Sequence, residues 1–146
     1  MSAGALPDAA AIEALVPHAG AMSLWDEVVG WDAEWIQLRT WRHRDPAHPL
    51  RADGRLHAVH LCEYGAQAMA VHGGLRARAA EADARPGLLV GLSGIELCID
   101  RIDRLPGALE CEAHLLMDSP AGCQYRFALH HAGTRLAEGR ATVMPG

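Results

Sequence analysis

From about Leu56 to Ala80 the chain reads as one long helix, rich in Ala, Leu, Val and Met and apolar around most of its circumference. A helix of that kind is wrapped by other structure rather than laid on a surface. Gly65, Gly73 and Gly74 lower its propensity and allow close approach of another backbone. Asp53, in the loop Asp45–Arg55 ahead of it, reads as its cap. After the helix, turn signals at Arg85-Pro86-Gly87, Leu105-Pro106-Gly107, Ser119-Pro120-Ala121-Gly122 and Ala132-Gly133-Thr134 punctuate the chain. They bound four strand-like runs, Leu88–Arg101, Ala108–Met117, Gln124–His131 and Arg135–Met144, as in a meander of antiparallel strands.

Before the helix, Met22–Trp31 and Trp35–Arg44 read as two strands joined by a turn at Asp32-Ala33-Glu34. Ala11–Val16 suits one or two helical turns, ended by Pro17. Residues 1–10 are small and polar and read as a loose arm, which leaves 11–146 as a single domain. The order is therefore two strands, one buried helix and four strands. One antiparallel sheet curled around one helix, an α+β architecture, accounts for both the order and the helix's composition. Such a sheet leaves an open edge, and self-association edge to edge would cover it.

The chain's 146 residues suffice for one core. Its net charge is −5, from 13 basic residues, every one of them Arg, against 18 acidic ones. A non-specific nucleic-acid binder is normally basic over its domain, so no nucleic-acid partner is expected. No run of about 18 apolar residues exists, so no membrane span is expected either. The first residues lack the basic and apolar regions of a signal peptide. Cys62, Cys98, Cys111 and Cys123 form no C-x-x-C pair and sit among apolar neighbours, which reads as four buried thiols in a reducing cytoplasm.

Glu63 is the residue with most chemical content. It lies inside the apolar helix, where a carboxylate is costly unless paired. Gln67 follows at i+4 and can hydrogen-bond to it, and His60 precedes it at i−3. A positioned carboxyl group in that setting suits proton transfer, and equally suits a structural carboxylate satisfied by its two neighbours. His57, His60 and Glu63 recur every third residue, but a metal-bridging bundle needs matching ligands on facing helices, and no metal motif is present. No metal or other cofactor is therefore expected. His18 precedes the first strand and His48 precedes the helix; either, facing Glu63 across a pocket, completes a base and an acid. His43, between Arg42 and Arg44, reads as solvated. His72, His114, His130 and His131 read as surface or internally satisfied histidines. Arg39, Arg42, Arg44, Arg51 and Arg55 against Asp45 and Asp53 give a local excess of positive charge. That is either a solvated strand face or an anion contact at the pocket mouth.

At these residues the sequence resembles a known family. Pro17-His18-Ala19-Gly20-Ala21-Met22-Ser23-Leu24-Trp25-Asp26-Glu27-Val28, followed by Glu63-Tyr64-Gly65-Ala66-Gln67-Ala68-Met69, is similar to the hotdog-fold 3-hydroxyacyl-thioester dehydratases of fatty-acid synthesis. Pro49–Leu56 and Gln67–Gly73 resemble the subgroup associated with aryl polyene lipids. The resemblance runs from about residue 10 to 143. It implies a curled antiparallel sheet around one long helix, a homodimer with the pocket between subunits, and no metal. It implies an acyl chain on acyl carrier protein or coenzyme A as substrate. In the reaction so implied, a His takes a C2 proton, a carboxylic acid protonates the leaving hydroxyl, and backbone N–H groups near the helix start polarise the thioester carbonyl. Glu63 takes the place of the acid and Gln67 orients it. The family's Gly-His-Phe-Pro and Pro-Gly turn are replaced here by Ala47-His48-Pro49-Leu50, and His18 occupies a separate Pro-His segment, so His18 and His48 are both candidates for the base. His60, Arg51 and Arg55 join Gln67 as candidate substrate contacts. The other readings are a hotdog thioesterase, in which Glu63 activates water or attacks the thioester, and a non-catalytic acyl-binding subunit. The last would partner a related active hotdog protein in a hetero-oligomer.

Overall fold

The computed structural model describes residues 6–15, 22–81 and 87–145. His18 lies outside the described residues. In chain order the elements are α1 (Ala9–Leu15), β1 (Glu27–Asp32), β2 (Trp35–Thr40), α2 (Leu61–Ala79), β3 (Gly87–Leu97), β4 (Leu109–Ser119), β5 (Gly122–His131) and β6 (Thr134–Pro145). The strands form one antiparallel sheet in the order β1-β2-β4-β5-β6-β3. This is the expected sequence of two strands, a helix and four strands. α2 packs on β2, β4 and β5.

Alternation along the strands explains which face holds the helix. Ile36 and Leu38 of β2, Leu109, Cys111 and Ala113 of β4, and Tyr125, Phe127 and Leu129 of β5 point inward and are buried. They meet Leu61, Tyr64, Ala68, Met69, Val71 and Leu75 of α2 in one core. Gly65 permits close approach of α2 to β5, since a Cβ there would lie 2.6 Å from the Phe127 ring.

Several boundaries differ from the sequence expectation, each for a local reason. β2 stops at Thr40 and not at Arg44, because Asp26 draws the chain out of the sheet. Its carboxylate accepts Thr40 Oγ1 at 2.8 Å, the Trp41 N–H at 2.9 Å and Arg42 Nε at 2.8 Å. Arg42–Arg44 then form a 3₁₀ turn. His43 in that turn is fully buried rather than solvated, and its Nε2 lies 3.0 Å from the Leu105 carbonyl. β1 starts only at Glu27, because the backbone of Met22 and Leu24 bonds to a helix side chain instead of a strand.

The helix is preceded by a 3₁₀ turn, Ala58–His60, with His60 at the helix cap position. Asp53 caps nothing. It sits at φ 52° beside Gly54 at φ 73°, in a tight turn where Ala52 and Arg55 exchange backbone hydrogen bonds. Leu56–Ala58 instead lies against 100–103: the Leu56 N–H bonds Asp103 Oδ1 at 2.9 Å and the Ala58 N–H bonds the Asp100 carbonyl at 2.9 Å. Arg101 pairs with Asp103 and holds its carboxyl well below the usual carboxylate range.

α1 begins at Ala9, inside the expected arm, because Asp8 Oδ1 accepts the Ala11 N–H at 3.0 Å and the Pro7 carbonyl bonds Val28. All four cysteines are free, but only Cys111 is buried; Cys62 and Cys123 are half-buried and Cys98 is exposed at the end of β3.

Candidate active site

Glu63 stands in the first turn of α2, half-buried, where the positive end of a helix dipole favours a carboxylate. Gln67, one turn on and buried, donates from Nε2 to Glu63 Oε1 at 3.2 Å. The same amide serves the segment before β1. Nε2 donates to the Met22 carbonyl at 2.7 Å, and Oε1 accepts the Leu24 N–H at 2.9 Å. A side-chain amide that bonds two backbone groups two residues apart imitates a strand neighbour. It cannot rotate without breaking all three bonds. Gln67 therefore fixes both Glu63 and the segment that His18 precedes in sequence. Trp25 closes this side: its indole N–H bonds the Tyr64 carbonyl at 2.9 Å, and its ring meets the Tyr64 ring edge-on.

His48 reaches the same end of α2 from the loop. Its backbone N–H bonds the Asp45 carbonyl and its carbonyl accepts the Arg51 N–H, which shapes the loop into a compact turn. The ring is 6% exposed and stacks on Tyr64, with Nε2 at 3.0 Å from Tyr64 Oη. Nδ1 accepts the Leu50 N–H at 3.1 Å. Burial, then the positive charge of Arg51 and of a protonated His60, lower the His48 pKa below its ordinary value. Burial pushes the Tyr64 hydroxyl well above the ordinary tyrosine range.

The structure thus brings Glu63, Gln67, His60 and His48 to the start of one helix. Arg51 is spoken for by the backbone: its guanidinium donates to the Gly54 carbonyl at 3.0 Å and the His43 carbonyl at 3.1 Å. Arg55 is exposed on the turn ahead of the helix. Arg39 and Arg42, part of the positive stretch in sequence, are ion-paired with Glu27 and Asp26. Among the described residues no three His, Cys, Asp or Glu side chains come together as a metal site. Sequence reasoning overlooked Tyr64 and Trp25. A hydroxyl on a helix face that must be buried needs a partner, and that requirement was the available signal for Tyr64.

The sequence profile of the ApeP-like family, described as ApeP dehydratase, matches residues 10–146, and the chain belongs to that family. Among solved structures, a chain of the dehydratase heterocomplex ApeI:P from Xenorhabdus doucetiae is similar at a TM-score of 0.83 and 20% identity, over 92% of this chain and 90% of that one. A hypothetical thioesterase with coenzyme A from Streptococcus pneumoniae TIGR4 is similar at a TM-score of 0.61 and 12% identity, covering 82% and 84%. The protein smu.793 from Streptococcus mutans UA159, bound to acetyl CoA, is similar at 0.60 and 11%, covering 82% and 86%. These likenesses establish the hotdog fold. A search of curated proteins found no match to the sequence.

Proposed function

We propose that this member of the ApeP dehydratase family removes water from a 3-hydroxyacyl thioester, carried on acyl carrier protein or coenzyme A, during synthesis of a fatty acid or polyene lipid. The observation that carries this reading is the carboxyl group of Glu63, held in the first turn of a core helix by an amide that is itself anchored twice. A general acid must be held in one orientation to protonate a leaving hydroxyl. Gln67 donates to Oε1 and so favours the proton on Oε2. From there it passes to the C3 hydroxyl, which leaves as water, while a histidine, His18 or His48, accepts the C2 proton. Negative charge developing on the thioester carbonyl is favoured near the start of α2. Arg55, exposed on the turn ahead of α2, is a cation available to the phosphate of the carrier arm, and His60 borders the site at the helix cap position.

The assembly is proposed to be a homodimer through β3. That strand is a sheet edge and exposes Leu89, Leu92 and Leu97 at 41%, 41% and 42%. A related hotdog subunit on the same edge is the alternative partner, as the similar ApeI:P structure is a heterocomplex. The setting is proposed to be the cytoplasm, where the four free cysteines stay reduced; no described helix is long and apolar enough to cross a membrane.

The test is Glu63→Gln, which keeps shape and hydrogen bonding but cannot give up a proton. Dehydration of a 3-hydroxyacyl thioester, followed through the absorbance of the enoyl product, should fall by about a hundredfold to ten-thousandfold. Hydration of the enoyl thioester should fall equally. Full activity in both directions would make the helical carboxylate structural. Release of free thiol in place of enoyl product would make the protein a thioesterase.

A further inference from the structure

His48 bears on how the proposed reaction is divided among residues. A neutral imidazole has one N–H and one lone pair. At His48 the lone pair is identified by its partner. A backbone N–H can only donate, so Nδ1, 3.1 Å from the Leu50 nitrogen, is the unprotonated nitrogen. The ring proton therefore sits on Nε2 and is donated to Tyr64 Oη at 3.0 Å. Accepting a further proton would place an N–H at Nδ1 against the Leu50 N–H and break the turn. His48 is 6% exposed, so little water reaches it to replace the lost bond. The groups around the ring compound this: Arg51 and a protonated His43 from the loop side and a protonated His60 from the helix side oppose an imidazolium, against Asp45, which favours it.

We propose that His48 is a positioning residue that pins the 45–51 loop to Tyr64 and the first turn of α2, and is not the group that accepts the C2 proton. This rests on the dehydratase reading above, and leaves His18 as the other candidate for the base named there. The Leu50 bond is the histidine counterpart of an Asx turn, in which a side-chain acceptor takes the N–H two residues on. The Tyr64 bond carries the effect to the helix, because Tyr64 directly follows Glu63. His48 thus acts on the acid through the helix turn that bears it.

The experiment has two arms. In the first, long-range ¹H–¹⁵N correlation of the uniformly ¹⁵N-labelled protein reads the ring nitrogens, with His48→Asn to assign the signals. An unprotonated Nδ1 and a protonated Nε2 at neutral pH are expected. A protonated Nδ1, or an imidazolium at the assay pH, overturns the proposal, and this readout needs no turnover. In the second arm, His48→Asn keeps an acceptor for the Leu50 N–H, while Tyr64→Phe removes the acceptor of the His48 N–H. Both should lower kcat/KM by less than about tenfold and keep the acidic limb of its pH profile, which belongs to the base. His18→Ala should abolish that limb. A loss of about a hundredfold or more in His48→Asn, with the acidic limb gone while Tyr64→Phe retains it, makes His48 the base and overturns the proposal. If His48→Asn does not fold, the signals that move in Tyr64→Phe assign His48, and that variant and the ring-nitrogen readout carry the test. A wild-type protein that neither dehydrates nor hydrates its substrate refutes the dehydratase reading instead, and leaves the tautomer of His48 to be decided by the first arm.

Discussion

Replacing Gln67 with methionine tests the anchor on which the proposed site depends. The two side chains are similar in length and volume, so packing changes little. Three hydrogen bonds are lost, and their costs are unequal. Leu24 is fully buried, so its N–H is left without a partner or water, at a cost of about 1–3 kcal/mol. The Met22 carbonyl and the half-buried Glu63 carboxylate regain water, and each such bond is worth only about 0.5–1.5 kcal/mol net. Burying an apolar tip returns roughly 1 kcal/mol. The sum is a loss of about 1–5 kcal/mol, centred near 3, or a fall in Tm of roughly 3–20 °C for a chain of this size. Urea unfolding with an unchanged m-value is the direct measurement.

The Gln67→Glu variant sharpens this test. It keeps an acceptor for Leu24 but faces a carboxylate oxygen to the Met22 carbonyl and to Glu63. Like charges raise the pKa of the carboxylate pair in the folded state above the unfolded value, so the folded state binds more protons. Stability of Gln67→Glu should therefore recover as the pH falls toward about 5, where Gln67→Met does not recover. A loss below about 0.5 kcal/mol in Gln67→Met, or wild-type stability of Gln67→Glu at neutral pH, refutes the reasoning, because surface-like tolerance is incompatible with an anchoring amide.

Two helix glycines should respond oppositely to alanine. Gly65→Ala drives a Cβ to 2.6 Å from the buried Phe127 ring and should destabilise by about 1–2 kcal/mol, whereas Gly73→Ala meets nothing within 4 Å and should stabilise by about 0.5–1 kcal/mol; both are read from denaturant midpoints. Acidification should cost stability: burial lowers the pKa of His43, His48 and His72 below 6.5, so the unfolded chain binds protons first. Stability should be constant above about pH 7 and fall by up to about 1.4 kcal/mol per pH unit and per histidine as the pH drops through 6.5 and below; pH-dependent unfolding curves check this, and a flat profile from pH 7 to 5 contradicts it. Light scattering should show a dimer at micromolar concentration, and a charged substitution, Leu92→Glu, should shift it toward a 15.7 kDa monomer; an unaffected dimer places the interface elsewhere.

The order of elements was legible because each rests on a local signal that the fold does not contradict. Pro-Gly and Gly-Thr turns separate β3 to β6, and the alternation of Ile36 and Leu38 against Gln37 and Arg39 marks the two faces of β2. What was not legible are places where a side chain displaces a regular backbone bond. Asp26 ends β2 four residues early by taking the Trp41 N–H, and Gln67 delays β1 by taking the backbone of Met22 and Leu24. Neither is periodic, and each links residues far apart in sequence, so no window of sequence contains both partners. Asp53 was misread for the converse reason. It has the chemistry of a cap, but the chain turns back at Gly54 before the helix begins.

The histidines show most clearly why site residues are harder to read than folds. A neutral imidazole carries one donor and one acceptor, so it can join two groups in a space that excludes water. His72 is fully buried, accepts the Tyr125 hydroxyl at Nδ1 (2.7 Å) and donates from Nε2 to the Asp32 carbonyl (2.8 Å), tying α2 to the β1–β2 turn. His43 ties the turn after β2 to Leu105, and His48 ties its loop to Tyr64. At His48 the Leu50 N–H holds one tautomer in place and charging the ring would break that bond, while His43 Nδ1 has no hydrogen-bond partner and burial opposes a charge on both His43 and His72. A general base needs the reverse, a lone pair that faces substrate and accepts a proton without dismantling its surroundings. Composition and spacing cannot separate these two uses, because the residue and often its neighbours are the same. The partner of each ring nitrogen separates them. By that criterion His43, His48 and His72, buried in the described core, hold its loops and strands together.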